Sequence, residues 1–74
     1  MADAVRLDLG GLKCPMPALL LERALKQAAP GTVFEAFATD PMAEVDLPFS
    51  AQRLGATVLG VEVTAGQVKV RVQK

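Results

Sequence analysis

Apolar and polar residues alternate near the start of the chain: Val5, Leu7 and Leu9 are interleaved with Arg6 and Asp8, the period of a strand buried on one face. Gly10-Gly11 breaks the alternation and frees the backbone to turn. From Ala18 the period lengthens. Leu20, Leu21, Ala24, Leu25 and Ala28 fall on one helical stripe, with Glu22, Arg23, Lys26 and Gln27 on the opposite side. Glu22 and Lys26 stand four apart in the favourable order, and Ala29-Pro30-Gly31 ends the helix.

Thr32 to Thr39 is rich in β-formers and reads as a second strand, with Phe34, Ala36 and Ala38 facing inward and Val33, Glu35 and Phe37 outward. Asp40-Pro41 is a helix-start signal, an acceptor side chain followed by proline. Proline is tolerated in a helix's first turn, so Pro48 predicts a short turn over residues 41 to 46 and a main second helix from Leu47 to Leu54. Thr57 to Thr64 and Gln67 to Gln73 pair as a hairpin around Ala65-Gly66, through a connection of two or four residues. Val63 then faces Val68, Val61 faces Val70, Leu59 faces Val72, and Glu62 lies opposite Lys69.

The predicted order is β-α-β-α-β-β. Right-handed crossovers place both helices on one face of a four-stranded mixed sheet, giving an α/β two-layer sandwich. The other face stays open, with Arg6, Asp8, Glu35, Glu62, Lys69 and Arg71 around Val33 and Phe37.

Length makes this one domain over residues 1–74, able to bury only about 60% of the unfolded chain's surface. Eight basic and eight acidic side chains cancel, leaving no long-range field to draw nucleic acid or an anionic membrane. With no histidine and one cysteine, a Cys/His zinc site, a Cys-His or Ser-His-Asp catalytic grouping and an internal disulfide are excluded within one chain. No metal or organic cofactor is expected. The longest aliphatic run, Ala18 to Leu21, is far short of the roughly 20 residues that span a bilayer, and no signal segment precedes it. A reducing cytoplasm is the expected location.

The single cysteine lies in Gly11-Leu12-Lys13-Cys14-Pro15-Met16-Pro17, directly before the first helical stripe. The first N–H groups of a helix have no intrahelical acceptor, so Pro15 and Pro17 fit its first turn if Cys14 is the N-cap. Each proline fixes its own φ near the helical value and disfavours helix in the residue before it. The motif reads as a rigid pedestal for one thiol. A helix N-terminus is partly positive and Lys13 adds a full charge; such surroundings lower a thiol pKa from about 8.5 into the range of about 3.5 to 7.5. With no second cysteine to resolve it, an adduct on Cys14 would persist until a partner removed it.

Plainer readings compete. A lone cysteine is commonly a buried small hydrophobe, although a position between a Gly-Gly turn and a proline-flanked helix start favours access. Asp40 reads first as a helix cap, Lys13 as a solvated loop charge, and Leu19 to Leu21 as core.

Leu7-Asp8-Leu9-Gly10-Gly11-Leu12-Lys13-Cys14-Pro15-Met16-Pro17 resembles the opening signature of the TusA/SirA family of small sulfur-carrier proteins. The resemblance continues through Pro30-Gly31, Asp40-Pro41, Asp46-Leu47-Pro48 and the terminal hairpin. It implies the same β-α-β-α-β-β sandwich, with strand order 1-2-4-3 and the fourth strand antiparallel to the others. It also implies that Cys14 carries sulfane sulfur as a persulfide, supported by Lys13, Pro15, Pro17, Gly11 and Asp40. The partners implied are a cysteine desulfurase or rhodanese-like donor and an acceptor protein in tRNA thiolation, molybdenum-cofactor synthesis or oxidative sulfur metabolism. Docking is expected through Lys13, Glu22, Arg23 and Lys26, by a monomer that binds neither nucleic acid nor membrane. Gly10 stands where many members have arginine, and the second helix lacks a cysteine that some members carry there.

Three alternatives compete with the carrier reading. The implied fold is similar to the C-terminal domain of bacterial initiation factor three, an RNA-binding module, but zero net charge and only three aromatic residues argue against RNA. A redox sensor would use Cys14 sulfenic acid and a partner's thiol. An interaction domain would use the open sheet face around Phe37.

Overall fold

The computed structural model describes residues 4–13 and 15–74; Met1, Ala2, Asp3 and Cys14 lie outside the described residues. These form strand β1 (Val5–Leu9), helix α1 (Met16–Gln27), strand β2 (Val33–Ala38), helix α2 (Ala43–Arg53) and strands β3 (Thr57–Thr64) and β4 (Gln67–Gln73). The sheet order is β1-β2-β4-β3. β1 runs parallel to β2, and β4 is antiparallel to both β2 and β3.

The predicted alternation is borne out in β2 and β4, whereas in β1 only Leu9 is buried and Val5 is 44% exposed. Leu9, Phe34, Ala36, Ala38, Val68, Val70 and Val72 are buried beneath Leu21, Leu25, Leu47 and Ala51 of the helices. Small side chains on β2, Ala36 and Ala38, let the helices approach the sheet closely. In the run predicted as core, Leu21 is fully buried and Leu20 half-buried, but Leu19 is 50% exposed. At the far end of α1 the Lys74 ammonium donates to the carbonyls of Ala28 (2.6 Å) and Lys26 (3.4 Å), satisfying acceptors that the helix leaves unpaired.

Two expectations are corrected. α2 begins at Ala43 and runs through Pro48, instead of starting near Leu47. Bonds from Ala43, Glu44, Val45 and Asp46 N–H back to residues 40 to 42 already build a continuous turn. Pro48 costs only the bond to the carbonyl of Glu44, an exposed residue. In the hairpin, Val58 and not Leu59 faces Val72, and Gly60 faces Arg71, because a β-bulge makes Leu59 the extra residue. Beyond it the expected register returns: Val61 with Val70, Glu62 with Lys69, Val63 with Val68. The connection has two residues, Ala65 and Gly66, both at positive φ (36° and 80°), as a hairpin matched to the strand twist requires.

On the open face the charges pair among themselves. Glu35 lies 3.8 Å from Lys69 and 3.9 Å from Arg71, and Lys69 lies 3.6 Å from Glu62. The Arg6 guanidinium sits 4.0 Å above the ring of Phe37.

Candidate sulfur-carrier site

The parallel strands β1 and β2 end side by side, with Leu9 opposite Ala38, and the segments leaving them meet beyond those ends. After β1 the chain turns through Gly10 and Gly11. The Gly10 N–H donates to Asp8 Oδ1 at 3.2 Å, and the Gly11 N–H donates to Thr39 Oγ1 at 2.8 Å. Gly11 has φ +80°, while nothing lies within 4 Å of where its Cβ would stand. Glycine is needed there for backbone conformation and not for space. Leu12 donates back to the Leu9 carbonyl and packs against the core, pinning the loop from the inner side.

Lys13, next in the chain, is exposed. Its carbonyl accepts from Met16 N–H at 2.9 Å, and the Pro15 carbonyl accepts from Leu19 N–H at 3.1 Å, so the helix is entered through a closed turn. Pro15, not Cys14, is the N-cap residue of α1, and Pro17 lies in its first turn. The expectation that Cys14 caps the helix is corrected by that turn, which starts helical geometry only at Met16. Pro17 is buried, so it anchors the helix start to the core besides fixing its φ. The thiol of Cys14 and its surroundings lie outside the described residues.

The two helix starts differ in charge. α1 has no acidic residue in its first turn, whereas α2 has Glu44 and Asp46 there. The positive end of α1 is therefore left uncompensated by its own side chains, next to Lys13. Asp40 is not the N-cap that its sequence context predicts, since α2 starts at Ala43 with Met42 as its N-cap residue and Pro41 outside the helix; its Oδ1 accepts from Met42 N–H at 2.9 Å in the turn that leads into α2.

Gly11, Lys13 and Asp40 line one shallow hollow with Leu12, Thr39 and Pro41. Three of the predicted supporting residues thus converge where the Cys14 segment leaves the sheet. The predicted docking residues divide. Arg23 and Lys26 are exposed and line a separate hollow farther along α1 with Leu19 and Gln27. Glu22 reaches that hollow, but it is not a free docking charge. Its side chain is only 12% exposed and accepts from Arg53 Nη2 at 2.6 Å. A hydrogen bond from Ser50, then Arg53, holds its pKa below the ordinary carboxylate value against the opposing effect of burial. The periodicity of α1 alone puts Glu22 on the polar side, because it does not register a second helix lying alongside.

Sequence reasoning missed the roles of Asp8, Thr39, Ser50 and Arg53. Thr39 adjoins the Asp40-Pro41 signal, but its bond to Gly11 spans 28 positions and has no local signature. Among the described residues, no three His, Cys, Asp or Glu side chains group to hold a metal ion, and no helix is long and apolar enough to cross a membrane.

Comparisons with known proteins identify the family. A Pseudomonas entomophila protein named sulfur carrier protein TusA is 38% identical over 60 residues, which cover 81% of this chain and 75% of that protein. The protein of that name from Pseudomonas aeruginosa PAO1 is 36% identical over 64 residues, covering 86% and 80%. The crystal structure of a SirA-like protein from Desulfitobacterium hafniense shares the fold, with a TM-score of 0.77 over 93% of this chain and 95% of that one at 20% identity. The family model described as sulfurtransferase TusA matches residues 5–74, and the chain belongs to that family.

Proposed function

We propose that this protein is a sulfur carrier that accepts sulfane sulfur as a persulfide on Cys14 and relays it to an acceptor protein. The observation that carries the reading is the construction of the Cys14 segment. It joins a loop held at Gly10, Gly11 and Leu12 to a proline-fixed helix start with no acidic residue in its first turn. Relatives named sulfur carrier protein, matched over most of the chain, support the same role.

The chemistry is thiol exchange without net oxidation. The Cys14 thiolate attacks the outer sulfur of a donor persulfide, a new S–S bond forms, and the donor's own sulfur leaves as a thiolate. In the second step an acceptor nucleophile attacks the outer sulfur and Cys14 leaves as thiolate. Positive surroundings help at both ends of the cycle, since thiolate and persulfide are both anions. Because this chain has one cysteine, no neighbouring thiol of its own can expel the sulfur by closing a disulfide.

The donor is a cysteine desulfurase or a rhodanese-like protein, and the acceptor belongs to tRNA thiolation, molybdenum-cofactor synthesis or oxidative sulfur metabolism. The carrier works in the cytoplasm as a monomer and docks through Lys13, Arg23 and Lys26. The test is relay of labelled sulfur. A desulfurase charged with sulfur-labelled cysteine should transfer label to this protein, thiol reductant should release it, and Cys14→Ala should not receive it. Equal labelling of wild type and Cys14→Ala would overturn the proposal.

A further inference from the structure

We infer that Thr39 is a positioning residue for the sulfur-bearing loop, acting through the hydrogen bond that its hydroxyl oxygen accepts from the Gly11 N–H. The inference rests on the carrier reading of Cys14. The bond is 2.8 Å long and ties the loop after β1 to the residue after β2. Its neighbour, Gly10 N–H to Asp8 Oδ1, is a contact within β1's own turn and ties it to no second element. Leu12 holds the loop to the core from the inner side. Thr39 alone among these contacts fixes the outer, exposed part of the turn to a second element.

The anchoring of Thr39 itself gives the bond its consequence. Asp40 organises the start of α2, so Thr39 stands on a segment fixed at both ends: by the β2 ladder before it and by the Asp40 contact to Met42 after it. Gly11 lies two positions before Lys13 and three before Cys14. The Thr39 bond holds Gly11 at its φ of +80°, a region that glycine leaves easily, on the chain leading to those residues. A threonine hydroxyl suits the task, because it is a neutral acceptor for a backbone amide.

Alkylation of Cys14 by iodoacetamide, measured against pH, tests the inference without any partner protein. Thr39→Val removes the acceptor at nearly constant shape. It should raise the pH midpoint toward that of an unstructured cysteine peptide. It should also slow sulfur loading from a desulfurase by about three- to five-fold, the population change that one neutral hydrogen bond of ordinary strength supports. Thr39→Ser keeps the acceptor and should restore both. In wild type the Gly11 amide should exchange with deuterium more slowly than the Lys13 amide, a readout that stands even if Thr39→Val fails to fold. A Thr39→Val protein that is folded and keeps the wild-type midpoint, or an unprotected Gly11 amide, would overturn the inference. Failure of the carrier reading is separate: wild type itself would then take up no sulfur.

Discussion

At the residue scale, the proposed carrier role turns on charge around one thiol. Cys14 should alkylate with a pH midpoint below that of an unstructured cysteine peptide, since the adjoining helix start carries no compensating acid and Lys13 is adjacent. A midpoint at or above the peptide's would contradict this. Lys13→Glu should raise that midpoint and also slow transfer from a donor, with weaker salt dependence, because a rim charge acts chiefly on encounter. Thermal unfolding of Lys13→Glu should match wild type, as the side chain is exposed. A second residue-scale test concerns Ala65, a non-glycine residue at φ 36°. Ala65→Asn should stabilise the fold by about 0.5–1 kcal/mol in denaturant unfolding, since asparagine tolerates the left-handed region better than alanine. A loss of stability would show that the turn is not of this type.

At the element scale, the two helices are joined by Glu22, Ser50 and Arg53. Glu22 has a depressed folded-state pKa, so its contribution is present above its unfolded-state pKa and disappears as pH falls through the folded one. Stability of wild type should therefore decline as pH drops below about 4.3, and Glu22→Gln should decline less steeply over that window. At neutral pH Glu22→Gln should cost about 1 kcal/mol, a charged hydrogen bond becoming a neutral one. Identical acid profiles for the two proteins would remove Glu22 as a source of the dependence. These contacts also mark where sequence stops being legible. β1, α1 and β2 are readable from their own periods, and β3 pairs with β4 on the page because Val61, Val63, Val68 and Val70 match across a short turn. The α1–α2 link and the Thr39–Gly11 bond join residues 31 and 28 positions apart, with no periodicity connecting them. Pro48 hides the true start of α2, because its local cost is real but falls on an exposed turn. The bulge at Leu59 is hidden because Leu59 carries the same apolar signal as its neighbours, so nothing in the pattern shows an extra residue.

At the scale of the whole molecule, the fold gathers the ends of β1 and β2 and the starts of both helices onto one edge. The open sheet face pairs Glu35 with Lys69 and Arg71 and covers Phe37 with Arg6, which leaves few unpaired charges there for a partner. One cysteine, one loop held from two strands and one uncompensated helix start are the features on which the proposed carrier role rests. The most direct test is intact-mass and peptide mass spectrometry after incubation with a cysteine desulfurase, pyridoxal phosphate and cysteine. A sulfur carrier of this construction should gain one sulfur atom, mapped to the peptide containing Cys14, removed by thiol reductant and absent from Cys14→Ala. No reducible sulfur on Cys14 from any desulfurase or rhodanese donor would contradict that role.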